Sequence, residues 1–331
     1  MIHALLEVLH HSGISAAARL LPSRHLVVLN FHRVRDEPSE FHDGLIEVGS
    51  KQFREHLTWL GRRVDFLSEA DLDGLRPGGR PKALITFDDG YRDVYDVAAP
   101  ILRELGVPAI FFVAPGLVDR RQLGAWDWIA YLVKKHPGPA FQFRGRGYSL
   151  VRGTHDAYVE LARICHDAIP DRGEFFAREL AAAIGVPDPA VEAQSAELLT
   201  WDQIRTLSSQ GFAIGCHSNS HRVLSSLTFR EQEIEIQIAR DRLAAERVPA
   251  ESFSYPFGDP YSYSWETREL VLRAGFRNIF SFGGRVPRIP RLDRTRIDRV
   301  HFKSTLPKYD FLFSFPALHN IAERFRAEHS E

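Results

Sequence analysis

Two adjacent carboxylates, Asp88 and Asp89, follow the apolar run Ala83–Phe87 and precede Gly90. Neighbouring acids at a strand end are costly unless they bind a cation or do proton chemistry. Asp-Gly is also a common turn dipeptide, so a turn or helix N-cap is the plain alternative. His217 and His221 stand four positions apart, directly after a second apolar run, Phe212–Cys216. On one helical turn both imidazoles would face the same way, as two ligands of one metal require. The chain has 15 histidines, so such a spacing alone is a weak signal. One carboxylate with two histidines is a recognised metal set that leaves positions open for water and substrate. The combination is far more specific than either part.

The elements that must position these residues are short apolar runs alternating with helical patterns, which argues for βα units. Strands are predicted at His25–Phe31, Val64–Leu67, Ala83–Phe87, Pro108–Val113, Phe212–Cys216, Ser252–Tyr255, Phe276–Phe282 and Arg296–Val300. Helices are predicted at Lys51–Leu60, Tyr91–Leu105, Trp201–Gln210, Trp265–Ala274 and, behind the capping box Thr228–Glu231, as far as Glu246. The rhythm stops over residues 119–198, which read as a helical insertion with a small hairpin near Phe141–Val151. Residues 1–24 predict an amphipathic N-terminal helix, and 306–331 a closing C-terminal helix. In a (β/α) barrel, function sits on the loops after the C-terminal ends of the strands. His32, Asp88, Asp89, His217 and the turn Tyr255-Pro256-Phe257-Gly258 each fall at or just past such an end. Four separate segments thus bring their chemistry to one rim.

The totals set limits. With 42 basic against 43 acidic residues in 331, no large field for nucleic acid is expected. Cys165 and Cys216 are too few for a disulfide framework or a cysteine-built zinc site. The N-terminal segment lacks the basic region and unbroken apolar run of a secretory signal. No apolar run approaches the ~20 residues that span a bilayer. The default address is the cytoplasm.

Thr86-Phe87-Asp88-Asp89-Gly90, then His217-Ser218-Asn219-Ser220-His221, then Ser254-Tyr255-Pro256-Phe257-Gly258 resemble the ordered motifs of the polysaccharide deacetylases. These proteins carry a NodB homology domain and form carbohydrate esterase family four. Leu29–Val34 (LNFHRV) is similar to the opening strand of a subgroup acting on exopolysaccharides. The resemblance covers residues 25–118 and 199–301. It implies an α/β fold, a distorted, incomplete (β/α) barrel of about seven strands with a helical insertion. The domain would run over 25–305 and carry the insertion 119–198.

The resemblance further implies that Asp88 is the general base, and that Asp89, His217 and His221 hold one divalent ion. Zinc suits this set, with cobalt, nickel, manganese or iron as alternatives. The Tyr255 backbone N–H would stabilise the oxyanion, and Tyr255 and Pro256 would contact the substrate. Two departures stand out. The arginine expected three residues before Tyr-Pro is Ser252, and the late Leu-x-His is replaced near Ile297-Asp298-Arg299. Arg296 or Arg299 is then the candidate charge partner of Asp88. His32 is a candidate general acid, His301 another, and a structural rim histidine the bland reading of His32. Trp126 and Trp128 are candidates for stacking on a sugar, although their apolar neighbours also suit a core.

The expected activity is removal of an N-acetyl group from an amino-sugar-containing saccharide, possibly lipid-linked, in surface or exopolysaccharide synthesis. The alternatives are hydrolysis of an O-acetyl ester or another amide, and a carbohydrate-binding or assembly protein that has lost catalysis. The oligomeric state is left open.

Overall fold

The protein is described by a computed structural model over residues 2–41, 46–168, 173–301 and 305–328. Eight parallel strands form the main sheet: β1 Leu26–Phe31, β2 Asp65–Leu67, β3 Lys82–Phe87, β4 Ala109–Val113, β5 Ala213–Cys216, β6 Ser252–Ser254, β7 Asn278–Phe280 and β8 Val300–His301. Their order is β7-β6-β5-β4-β3-β1-β8, with β2 paired to the first half of β3. A parallel sheet covered on both faces needs apolar residues at successive positions, and β1 and β4 are buried throughout. Alternation sorts the side chains. Val27, Leu29, Phe31, Ile85 and Phe87 pack with the helix Ser50–Gly61 and its neighbours, while Leu26, Val28, Leu84, Ile110 and Phe112 fill a second cluster with Phe280 and Ile297.

The barrel is incomplete, as expected. Strands β7 and β8 do not pair, and the seam between them is crossed by the segment that leads into β8. There Ser281 N–H donates to Ile297 O at 2.9 Å, and Ile297 N–H donates to Ile279 O at 2.8 Å. The strand predicted at Arg296–Val300 therefore shrinks to Val300–His301, because its first half laces the seam instead of joining a ladder.

The predicted N-terminal helix is two, Ile2–His11 and Ile14–Ala18, broken where Gly13 takes φ 79°. The closing helix is also two, Leu306–Ser314 and Pro316–Glu328, because Pro316 has no N–H to continue the first. The helix predicted from Tyr91 begins as a π-helical turn, Val94–Ala98, and becomes α-helical only at Ala99–Leu105, with Pro100 at the junction.

Between β4 and β5 lie the helices Ala125–Lys135, His155–Ala168, Gly173–Ile184 and Val191–Ala196 and the hairpin Ala140–Phe143/Arg146–Ser149. They enclose their own core of Trp128, Ile129, Leu132, Phe141, Leu161, Phe176 and Leu180, which takes in Phe41 and Tyr91 from outside the segment. Among the described residues no helix is long and apolar enough to cross a membrane.

Candidate active site

Strand β3 ends in a tight turn. Asp89 has φ 74° and Gly90 φ 76°, two successive left-handed residues. Aspartate tolerates this conformation better than most residues, and glycine pays no steric penalty for it. A Cβ on Gly90 would also lie 3.4 Å from Val113 Cγ1, so the turn is seated against the end of β4. The turn gives the two carboxylates different surroundings, although both are nearly enclosed, at 3% and 4% exposure.

His217 and His221 do not share a helical turn. They flank a tight loop after β5 in which Ser218 has φ 56° and His221 φ 58°. The loop's free N–H groups explain this geometry. Glu235, on the helix Phe229–Ala245, accepts from Asn219 N–H at 3.2 Å and from Ser220 N–H at 2.9 Å, and from the Ser220 hydroxyl at 2.6 Å. Gly116 N–H closes the other side by donating to Asn219 O at 2.8 Å. His217 Nδ1 must donate to the Ser254 carbonyl at 2.8 Å, which leaves Nε2 unprotonated in the neutral ring and aimed inward.

The result is a compact donor set. His217 Nε2 and His221 Nε2 lie 3.4 and 3.1 Å from Asp89 Oδ1. Ligand bonds of about 2.0–2.2 Å imply ligand–ligand separations near 3 Å, so these spacings suit one cation. Asp89 Oδ1 is buried and accepts no hydrogen bond among the described residues, as a ligand oxygen would be left. Burial raises the Asp89 carboxyl pKa, but the flanking imidazoles outweigh it and hold the group well below its usual range. The residues present fit a divalent ion.

Asp88 is held differently. Arg299, 1% exposed, grips it with Nη1 and Nη2 each at 2.8 Å from one carboxylate oxygen, and Asn30 Nδ2 donates to Oδ2 at 3.1 Å. The guanidinium is itself fixed by the Ser254 hydroxyl, the Asn30 amide oxygen and Ser281 O. Burial pushes the Asp88 carboxyl up, and Arg299 together with His217 and His32 more than offsets it, keeping the group ionised. Arg296 is exposed and forms no ion pair with Asp88, so of the two candidates only Arg299 reaches it. Asn30 was not singled out from sequence. Its only signal there is one amide in the otherwise apolar strand β1.

His32 and His301 line the same cleft, with ring centroids 5.9 Å apart. His32 is half-buried, and its Nδ1 has no partner among the described residues. The Tyr255 expectation needs correction. Its backbone N–H donates to Phe280 O at 3.1 Å, and its ring is buried in a stack on Tyr263 at 3.9 Å. Pro256 has no N–H, so the next donor along the turn is Phe257, with φ 62° and no backbone acceptor among the described residues. Phe257 lines the cleft, and Tyr255 and Pro256 do not.

The tryptophans divide. Trp126 lines the cleft, with its ring centroid 4.2 Å from that of His221. Trp128 faces the opposite way, 3% exposed in the core of the segment between β4 and β5, with Nε1 bonded to Gln194 at 2.7 Å. It cannot reach a sugar in the cleft. His166 and Phe282, which sequence reasoning missed, also line this space of about 470 Å³. No local pattern announces them, since each is brought in by a remote element.

A family model described as polysaccharide deacetylase matches residues 76–279, more than half of the chain. The poly-beta-1,6-N-acetyl-D-glucosamine N-deacetylase of Escherichia coli K12 is 31% identical over 103 residues, which are 30% of this chain and only 15% of that protein. Among solved structures, the Streptococcus pyogenes deacetylase PplD aligns with a TM-score of 0.58 at 16% identity, over 89% of this chain and 100% of that one. IcaB from Ammonifex degensii aligns with a TM-score of 0.55 at 19% identity, over 90% of this chain and 98% of that one. These structural likenesses attest the fold. Together with the extent of the family match, they place this chain in the polysaccharide deacetylase family.

Proposed function

We propose that the protein is a divalent-metal-dependent hydrolase that removes the N-acetyl group from an amino-sugar-containing saccharide in surface or exopolysaccharide synthesis. The observation that carries this reading is the pairing of two adjacent aspartates with opposite surroundings, Asp89 facing His217 and His221 and Asp88 clamped by Arg299. Zinc suits a donor set of one carboxylate oxygen and two imidazole nitrogens, and it would supply a Lewis acid that polarises the acyl carbonyl and acidifies water.

The chain's own residues supply the rest. Asp88, kept ionised beside Arg299, takes the proton of the attacking water. The Phe257 N–H is the donor on the turn left free to face a developing oxyanion. His32, half-buried at the end of β1, gives a proton to the leaving amine, with His301 as the alternative donor on the same wall. The aromatic rings of Trp126, Phe257 and Phe282 line the cleft and present apolar surface to the substrate.

Acetate release from N-acetylated glucosamine oligomers, measured before and after chelation and metal reconstitution, tests the proposal. Activity is expected to vanish with the metal and return with it. A His217→Ala, His221→Ala double variant with undiminished metal content would refute the ligand assignment.

A further inference from the structure

Beside the cleft lies a second cavity of about 210 Å³ whose buried lining includes Leu117, Leu123, Ile129, Cys165 and Val223, with Arg120, Glu174 and Arg222 also on its wall. Trp126, His166, His221 and Phe257 line both spaces, so the two are divided by a partition of rings. The packing is close: Trp126 to His221 is 4.2 Å between centroids, His221 to Phe257 is 5.0 Å, and His166 to Phe257 is 4.7 Å. A group held beside His221 therefore meets the Trp126 indole immediately, and the same indole forms part of the wall of the second cavity.

The indole is seated from two directions. Its Nε1–H donates to the Tyr91 hydroxyl at 2.8 Å, and that hydroxyl is hydrogen-bonded to the buried Asp127 at 3.1 Å. Its six-membered edge lies on Gly124, where an added Cβ would come within 2.2 Å of the ring. Gly124 has φ −71°, which any residue adopts, so glycine is needed there for the space it leaves to the indole and not for its backbone.

We propose that Trp126 limits the length of the N-acyl group accepted, by closing off a cavity with an apolar buried side that would otherwise receive a longer acyl chain. The proposal rests on the N-deacetylase reading given above. The buried part of the lining suits methylene groups, since there it presents aliphatic side chains and the Cys165 thiol, whose pKa burial pushes up to about 12 and which therefore stays neutral. The reaction is unchanged by chain length. Water adds its oxygen to the acyl carbon, the C–N bond breaks, the amine leaves with a proton, and the carboxylate departs with whatever tail it carries.

The test is kcat/KM for N-acetyl, N-butyryl and N-hexanoyl forms of one glucosamine oligomer, with metal-loaded wild type and the Gly124→Ala and Trp126→Ala variants. Wild type is expected to favour acetyl strongly. Displacing the indole with Gly124→Ala, or removing it with Trp126→Ala, should raise the butyryl-to-acetyl ratio at least tenfold, because each buried methylene is worth about fourfold in binding. Adding Leu117→Phe, which fills the cavity, should reverse the gain. A wild type that takes hexanoyl as readily as acetyl overturns the proposal, whether or not the variants fold. So does an unchanged ratio in an active variant, or a KM raised equally for every acyl length, which would make Trp126 a sugar platform. If wild type releases no acid from any of these substrates, the N-deacetylase reading fails, and this proposal fails with it.

Discussion

The Asp88 carboxylate faces a guanidinium at 2.8 Å on each oxygen, while the Asp89 carboxylate next to it faces two imidazole nitrogens. Division of labour between neighbours thus follows from what surrounds each one. Asp88→Asn is expected to keep the metal and lose about 100- to 10,000-fold in kcat, the usual contribution of a general base. Arg299→Lys tests the clamp separately. A lysine offers a point charge in place of a two-pronged fork, so metal content should hold while kcat falls about tenfold or more. An Arg299→Lys enzyme with normal kcat would reduce the arginine to a packing role. At this scale the sequence was legible for Asp88, Asp89, His217 and His221, because strand-end position and residue type together are informative. It was not legible between Arg296 and Arg299, since choosing between them depends on how the chain crosses the seam. Nor could it separate Tyr255 from Phe257, since that turns on which N–H the neighbouring strand consumes.

Among the elements, the strands were the most readable, because a sheet covered on both faces leaves unbroken apolar runs. The loop from His217 to His221 brings both imidazoles together without the helical turn that the spacing suggested. Its left-handed residues, Ser218 and His221, carry side chains that rarely adopt that conformation, so the sequence gives no warning of it. The compensation comes from a distant element that was read correctly. The capping box at Thr228 starts the helix that delivers Glu235 under the loop. Glu235→Ala should therefore weaken metal binding by about 10- to 100-fold, as losses of outer-shell partners commonly do, with little change in unfolding temperature. Metal titration by competition with a chromophoric chelator reads this directly, and an unaltered affinity would show that the loop holds its shape without the glutamate.

For the molecule as a whole, the segment between β4 and β5 brings its own core to the barrel and lends the cleft Trp126 and His166. Its helical character was evident from composition and pattern. Which of its two nearby tryptophans faces the cleft was not, because Trp126 and Trp128 differ only in the side of one helix turn they occupy. Trp128→Leu should lower stability by roughly 2–4 kcal/mol through lost packing and a stranded Gln194, and leave KM unchanged in the folded fraction. Thermal unfolding beside steady-state kinetics checks both halves. A raised KM with full stability would return Trp128 to the substrate.

The lacing of the barrel seam sets an order in time. The two aspartates and both histidines precede residues 296–301 in the chain, so the residues proposed to hold a cation are all made while the seam is still open. Arg299 arrives only with the strip of chain that crosses that seam. Until then Asp88 lacks the guanidinium that does most to keep it ionised in a buried site. A growing chain on this plan gathers the residues proposed to hold a cation before it gains the arginine that clamps Asp88.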